Sequence, residues 1–304
     1  MHEPWAVGGV RMSSSSARPP LAGTARTRLL ERLAGPQPLV AVEMRPPRAD
    51  LNHADSIDTW IDMHHAVRRL LGHDTLIFLT DNAVGQSEEE NLHHLVSNLG
   101  GEVDPGKLVP FLTCKHSLDY CLMYAARAAS SGYPALTVLG GDLEVGTPRC
   151  VAHASELREK IRARVPGLAL GGWANPHREP ERQVDWLLEG FHGEFFLTQV
   201  VSHHDLPALE RFLAEGRRRG VTLPGVFGVF YYRSASQKTL AQLAKFMPVP
   251  VEGLTREFAR GDSPDEVCAR TIRALREVGV DKVYLSNLGT READRRLKQV
   301  LALV

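Results

Sequence analysis

A carboxylate ends the first apolar segment of this 304-residue chain. Glu43 closes the segment 39–43, and the Met-Arg-Pro-Pro that follows restricts the backbone after it. Asp142 follows a second apolar segment, 136–139, after two glycines. Two carboxylates that face one cavity often divide acid–base chemistry between them, because one is desolvated and neutral while the other stays ionised. Asp and Glu are common at strand ends, so the pair alone does not identify a reaction.

Polar residues also follow the other apolar segments. They are Asp81-Asn82, Thr113-Cys114-Lys115-His116, Gly140-Gly141-Asp142, Asn175-Pro176-His177, Thr198-Gln199, Tyr231-Tyr232-Arg233 and Ser286-Asn287. Loops follow strands and are usually polar, which accounts for many of these positions. If the segments are parallel strands, the same residues collect where a pocket is expected.

The apolar segments alternate eight times with amphipathic ones. Strands are predicted over 39–43, 75–80, 108–113, 136–139, 168–173, 195–198, 226–230 and 283–286. Helices are predicted over 54–71, 87–99, 117–130, 152–164, 180–189, 206–219, 236–246, 264–278 and 291–304, with a short extra helix at 255–260. This order predicts a parallel sheet with both faces covered.

Eight such units favour closure into one (β/α)8 barrel, in which the chemistry lies at the carboxyl ends of the strands. A doubly wound open sheet is the alternative, and it usually carries a glycine-rich phosphate turn after its first strand. The corresponding turn here, residues 44–47, contains no glycine. We therefore expect a single barrel domain over residues 36–304. Residues 1–35 are expected to form a flexible tail, because the stretch 13–20 is polar, contains proline and lacks periodicity.

Composition excludes several classes of function. Lys+Arg and Asp+Glu are equal at 36 each, so no global field attracts nucleic acid or an anionic membrane. No apolar run approaches the ~18 residues that span a bilayer. The tail has no apolar core typical of a secretory signal, although its Arg and Ser content leaves a transit peptide as an alternative. The four cysteines form no C-x-x-C pair, which indicates a reducing, cytoplasmic location.

No metal site is predicted. The histidine pairs at 64–65 and 93–94 lie inside predicted helices, where adjacent side chains point in different directions. The pair at 203–204 follows the predicted sixth strand and not a helix, so the same argument does not exclude it as a metal site. Cys114 and His116 would need distant partners to bind zinc.

Seven segments, in order from about residue 39 to 288, resemble the methylenetetrahydrofolate reductases. Val42-Glu43-Met44-Arg45-Pro46-Pro47 is similar to the family's F-E-F-F-P-P, Phe111-Leu112-Thr113-Cys114 to its H-L-T-C, and Leu139-Gly140-Gly141-Asp142 to its L-R-G-D. Gly172-Trp173-Ala174-Asn175-Pro176-His177 resembles G-x-A-x-Y-P-x-x-H, Thr198-Gln199 resembles T-Q, Pro224-Gly225-Val226 resembles P-G-I, and Tyr284-Leu285-Ser286-Asn287 resembles Y-T-L-N. Each match is short, and the ordered set is more specific than any one of them.

The resemblance implies reduction of 5,10-methylenetetrahydrofolate to 5-methyltetrahydrofolate, a reaction of one-carbon metabolism that supports methionine biosynthesis. Protonation at N10 opens the methylene bridge to an iminium cation at N5, and a hydride then adds to that cation. Such an acid must stay protonated near neutral pH. Glu43 matches the family's general acid, and Asp142 matches the aspartate whose charge would stabilise the iminium.

The resemblance also implies binding residues. Gln199 matches the pterin-binding glutamine, and Tyr232, or Tyr231 if the alignment shifts by one, matches an aromatic residue that packs on folate. Thr113 and Asn287 are the further substrate-binding predictions. Thr80, Asn175 and His177 are predicted to bind the cofactor. The only expected partner is the small-molecule folate, and the oligomeric state is left open.

The chain departs from the family where the family binds FAD. Phe111, Gly140, Asn175 and Gln183 replace a histidine, an arginine, a tyrosine and a lysine. These losses remove partners of a diphosphate, for which Lys115, His116, His177 and Arg182 could compensate. We therefore predict direct hydride transfer from NADH or NADPH without tightly bound FAD. The alternatives are an FAD-dependent reductase of the same family and a non-catalytic folate-binding accessory subunit.

Overall fold

The computed structural model describes residues 22–48, 50–81, 103–141 and 146–304. Its parallel strands hydrogen-bond in sequence order and close β8 onto β1. The strands are β1 Leu39–Met44, β2 Ile77–Leu79, β3 Leu108–Thr113, β4 Ala135–Leu139, β5 Ala169–Ala174, β6 Phe195–Val201, β7 Gly225–Phe230 and β8 Lys282–Ser286. The predicted (β/α)8 barrel is confirmed.

Helices surround the barrel. Those in the described part of the chain are α1 Ala22–Ala34, α2 His53–Leu70, α3 Leu118–Ser130, α4 Ala154–Arg164, α5 Pro180–Leu188, α6 Leu206–Arg218, α7 Gln237–Leu243, α8 Val251–Ala259, α9 Pro264–Glu277 and α10 Ala293–Leu301. The helix predicted at 87–99 lies outside the described residues, and the extra helix predicted at 255–260 is the longer α8. None of the described helices combines the length and apolarity needed to cross a membrane.

Large aromatic residues fill the interior of the barrel. Phe195 and Tyr284 are buried there together with alternate residues of the other strands. Glycines opposite them supply the room: a methyl group at Gly171 would lie 2.4 Å from the Phe195 ring, and one at Gly228 would lie 2.6 Å from the Tyr284 hydroxyl. The interior is therefore a packed core, and space for a ligand begins only above it, at the carboxyl ends of the strands.

Helix α1 corrects the predicted tail. Ala25, Leu29 and Leu33 are buried, and both leucines belong to the interior cluster of the barrel. Arg26 reaches Glu194 just before β6 at 3.0 Å, so α1 covers the amino-terminal end of the barrel. The prediction of a flexible tail is wrong for residues 22–34, because their apolar side chains recur at helical spacing and have the barrel floor to cover. Residues 1–21 lie outside the described part.

Candidate active site at the carboxyl ends of the strands

Glu43 lies at the carboxyl end of the barrel interior. It continues the inward-facing series of Leu39 and Ala41 along β1. Because β1 pairs with β8, its Oε1 receives a hydrogen bond of 2.7 Å from Ser286 Oγ. The Tyr284 phenol lies one layer below, where burial, and then the charge of Glu43, raise its pKa well above the usual range. Glu43 is half-buried, so its carboxyl group borders both the core and the mouth of the barrel.

Gln199 lies where β6 departs from regular pairing. The register of β6 against β7 shifts between Leu197 and Val200, and the Val200 amide donates to Gln199 Oε1 at 2.9 Å. Just before it, the Thr198 carbonyl accepts the Tyr284 hydroxyl at 2.6 Å. With its oxygen engaged, Gln199 offers a ligand the N–H donors of its carboxamide. Tyr284 thereby links the strand that carries Gln199 to the strand that orients Glu43.

Thr113 and Thr80 lie at the ends of β3 and β2. Asp81 Oδ2 accepts from the Thr113 amide at 2.7 Å and from its hydroxyl at 3.1 Å, and it also meets His116 Nε2 at 2.9 Å. The Thr80 side chain is buried, and its amide donates to the Met44 carbonyl at 3.0 Å. The structure thus brings Thr113 into an Asp81–His116 pair, while the substrate and cofactor roles of Thr113 and Thr80 stay predictions.

The turn after β4 carries a cation that the sequence comparison missed. A methyl group at Gly140 would lie 2.6 Å from the Arg149 guanidinium carbon, and one at Gly141 would lie 2.8 Å from the Lys115 stem. Arg149 therefore occupies the space of a side chain at position 140, where the resembling family has arginine. Its Nη2 donates to the Gly141 carbonyl, so it holds the turn. Asp142, the second predicted catalytic residue, lies outside the described residues.

Asn175 and His177 organise the loop after β5. The Asn175 amide donates to the buried Gln183 Oε1 at 2.8 Å, and Asn175 Oδ1 accepts from the His177 amide at 3.0 Å. The His177 ring lies 2.8 Å from the Val200 carbonyl and 3.1 Å from Asp205. His177 therefore joins the loops that follow β5 and β6.

A cleft of about 540 Å³ opens beside this loop. Its lining residues are Trp173, Asn175, Arg178, Glu179, Arg182, Gln183 and Trp186. Trp173 also packs against the interior cluster of the barrel, so the cleft adjoins the barrel mouth. Among these residues, Asn175 was predicted to bind the cofactor, and Arg182 was named as a possible partner of a diphosphate.

Tyr232 does not face the barrel axis. It is buried in a satellite cluster with Leu240, Leu254 and Val267, and burial raises its pKa above the usual range. Phe230 is the aromatic residue on the inward face of β7; it pairs in register with Ser286 and lies 4.8 Å, ring to ring, from Tyr232. Sequence reasoning missed Phe230, although the alternation along β7 would have indicated it.

Asn287 and Tyr231 join the ends of β8 and β7. Asn287 adopts a left-handed backbone (φ 71°), and its Nδ2 donates to the Tyr231 carbonyl at 3.0 Å. The Tyr231 hydroxyl donates to Asp265 at 2.7 Å, outside the barrel. The substrate-binding roles predicted for Asn287 and Tyr232 stay predictions.

Within the described ranges, one group of acidic, histidine and cysteine side chains is compact enough for a metal ion: His203, His204 and Glu257. Both Nε2 atoms lie 2.9 Å from the Glu257 carboxylate. Arg270 also donates to that carboxylate, which is only 3% exposed. The guanidinium neutralises the acid and opposes a further cation, so the group is explained as a buried hydrogen-bonded ion pair.

No protein-family model and no curated protein matches the chain. Solved structures match it. An uncharacterized protein from Clostridium thermocellum that binds two copies of 5-methyl-5,6,7,8-tetrahydrofolic acid matches 91% of this chain and 96% of its own, with 15% identity and a TM-score of 0.64. An F420-dependent secondary alcohol dehydrogenase matches 87% and 99%, with 12% identity and a TM-score of 0.51. Oxaloacetate acetylhydrolase matches 91% and 86%, with 9% identity and a TM-score of 0.52. At these identities the likeness establishes the fold alone.

Proposed function

We propose that this protein reduces 5,10-methylenetetrahydrofolate to 5-methyltetrahydrofolate. The observation that carries the proposal is the Glu43 carboxyl group, held by Ser286 at the mouth of the barrel. This half-buried carboxyl group can supply a proton, and the opening of the methylene bridge requires a proton donor. A structural relative that binds 5-methyltetrahydrofolate supports the choice of substrate.

The reaction divides into two steps. Glu43 donates its proton to N10, the bond between N10 and the methylene carbon breaks, and an iminium forms at N5. A hydride from the reduced nicotinamide then adds to the methylene carbon, which leaves the donor oxidised and the folate as its 5-methyl form. The Ser286 hydroxyl can donate to the carboxylate or accept from the acid, so it orients Glu43 in both protonation states. Gln199 offers its amide N–H groups to the pterin. Asp142 is the proposed charge beside the iminium.

We propose that the hydride passes directly from the nicotinamide, without FAD. Phe111 is buried inside the barrel, 6.2 Å from Phe78, and cannot contact a flavin in place of a histidine. Gln183 is buried, and its Oε1 accepts a hydrogen bond from the Asn175 amide instead of contacting a phosphate. Arg149 places a cation beside Gly140, but its guanidinium donates hydrogen bonds to the backbone carbonyls of Gly141 and Ala152. At these positions no cation is left for the diphosphate of a flavin.

Steady-state kinetics with the purified protein test both parts. Direct transfer requires a ternary complex, so initial-rate lines should intersect, turnover should not need added FAD, and the protein should lack a flavin spectrum. Parallel lines with stoichiometric flavin would replace the proposal with an FAD-dependent reductase. Folate binding without turnover under any condition would favour the accessory-subunit alternative.

A further inference from the structure

The cleft beside β5 presents two cations that no described side chain neutralises. Arg178 and Arg182 line it, both are exposed, and neither makes an ion pair or side-chain hydrogen bond within the part of the chain that the structure describes. Elsewhere on the helices, exposed arginines commonly find acids, as Arg218 does with Glu215 at 2.6 Å. Two uncompensated guanidinium groups at one cleft are suited to an anion that accepts several hydrogen bonds.

The same cleft presents an exposed aromatic surface. Trp186 is 52% exposed, and the Arg182 guanidinium lies 5.0 Å from its ring centroid. At the inner end, Trp173 connects the cleft to the barrel interior. An indole beside two guanidinium groups suits a planar ring attached to an anionic group.

We propose that this cleft binds the adenosine diphosphate half of the nicotinamide donor. Arg178 and Arg182 bind the diphosphate, Trp186 stacks on the adenine, and Glu179 accepts a hydrogen bond from a ribose hydroxyl. The donor then extends past Trp173 towards the mouth, where Glu43 lies. This assignment rests on the proposed function for the identity of the donor, but its binding test does not.

Glu179 decides between two anionic ligands with an aromatic ring. The tail of a folate also combines a ring with negative charge, but its glutamates carry carboxylates and no hydroxyl groups. The Glu179 carboxylate in the lining can accept a hydrogen bond from a ribose hydroxyl, whereas the carboxylates of a folate tail offer it no donor. The lining therefore favours a nucleotide.

Calorimetric titration with ADP-ribose tests the site without turnover. Arg178→Ala and Arg182→Ala should each weaken binding by about 10-fold, the usual scale for a hydrogen bond to a charged group. Trp186→Ala should weaken it and Trp186→Phe should largely restore it, because stacking needs only a ring. Arg217→Ala, an exposed arginine at the other end of the barrel on α6, should have no effect. Unchanged affinity in the Arg178→Ala/Arg182→Ala double variant would overturn the proposal.

Kinetics identify the source of the nucleotide. The double variant should raise KM for NADH by about 100-fold, but leave KM unchanged for reduced nicotinamide riboside, which lacks both phosphates and the adenosine, and for methylenetetrahydrofolate. A rise in the folate KM that grows with the number of glutamates would assign the cleft to the folate tail and overturn the proposal. Tight FAD binding that the double variant abolishes, with no NAD⁺ binding, would overturn it as well. If ADP-ribose binding depends on the two arginines but the protein does not reduce the folate, the assignment of the cleft stands and the proposed reaction is refuted.

Discussion

Ser286 Oγ donates a 2.7 Å hydrogen bond to Glu43 Oε1 across the closure of the barrel, where β8 meets β1. The two residues are 243 positions apart in sequence, so only closure brings them together. The last strand thereby orients the proposed acid.

Glu43→Gln keeps the shape of the side chain but cannot supply a proton. We expect kcat for methylenetetrahydrofolate reduction to fall by about 10²–10⁴-fold, the range for a lost general acid. Folate affinity, measured by equilibrium titration, should be largely retained. Glu210→Gln makes the same chemical change at an exposed position on α6 and should leave kcat unchanged. Normal turnover of Glu43→Gln would remove Glu43 from the mechanism.

Ser286→Ala removes the orienting hydroxyl and leaves the acid in place. We expect kcat to fall by about 10-fold, the scale of one hydrogen bond to a charged group, with a small change in KM. The loss should be much smaller than that of Glu43→Gln, and the double variant should be no worse than Glu43→Gln alone, because Ser286 acts through Glu43. Additive losses would show that Ser286 has a role independent of the acid.

Gly228→Ala tests the packing of the barrel core. The new methyl group would lie 2.6 Å from the hydroxyl of Tyr284, which is fully buried and bonded to the Thr198 carbonyl. Overpacking of this kind costs about 1–3 kcal/mol of unfolding free energy, measured by urea denaturation. Gly167→Ala is the matched control, because its methyl group would meet nothing within 4 Å. Equal stability of the two variants would contradict the packing described.

Leu29→Ala and Leu33→Ala test the role of α1 as the floor of the barrel. Each leucine is 2% exposed, so its truncation should cost about 2–5 kcal/mol of unfolding free energy. Arg28→Ala, on the exposed side of the same helix, should change it little. A flexible segment would tolerate all three substitutions alike, and that result would restore the original prediction of a tail.

The His203–His204–Glu257 group predicts a loss of stability at acid pH. Burial, and then His204, lower the pKa of His203 below its ordinary 6.5. Below pH 6.5, His203 therefore binds a proton in the unfolded chain but not in the folded protein, and the unfolding free energy falls. Burial alone would raise the pKa of Glu257, but hydrogen bonds and charges from His204, His203 and Arg270 outweigh it and lower that pKa below 4.5. The stability that the carboxylate contributes is thus present above pH 4.5 and is lost below it.

Urea denaturation across pH 4–7.5 measures this dependence. His203→Gln removes one titrating group and should make the fall between pH 6.5 and 5 shallower. His65→Gln, at an exposed position on α2, controls for the loss of a histidine. If His203→Gln and the unsubstituted protein show the same slope, His203 does not carry the effect.

The order of the elements could be predicted because each strand is a continuous apolar run. Strands buried on both faces are mostly apolar along their length, and the amphipathic segments between them need a sheet to cover. The position of Glu43 at the end of β1 followed from the same pattern. The predicted tail is wrong at α1 because residues 22–34 differ from the polar, proline-containing stretch before them and have the apolar spacing of a helix.

The environment of each site residue could not be predicted in this way. Tyr232 is two residues from Phe230 and has the same apparent direction, yet β7 ends at Phe230. Tyr232 is buried in the satellite cluster with residues of α7, α8 and α9, and Phe230 packs against that cluster from the strand end. Arg149 fills the space beside Gly140 from nine positions further along the chain, which no alignment of single positions reveals.

Local hydrophobic patterning alone predicts the number and order of the strands and the residues at their carboxyl ends. The hydrogen-bond partners are set by the folded chain: Ser286 for Glu43, Tyr284 for Thr198, Asp81 for Thr113 and Gln183 for Asn175. The folded chain also places Trp173 and Trp186 in one cleft with two arginines. Closure of a barrel fixes distances between residues far apart in sequence, and hydrogen bonds and ion pairs depend on those distances.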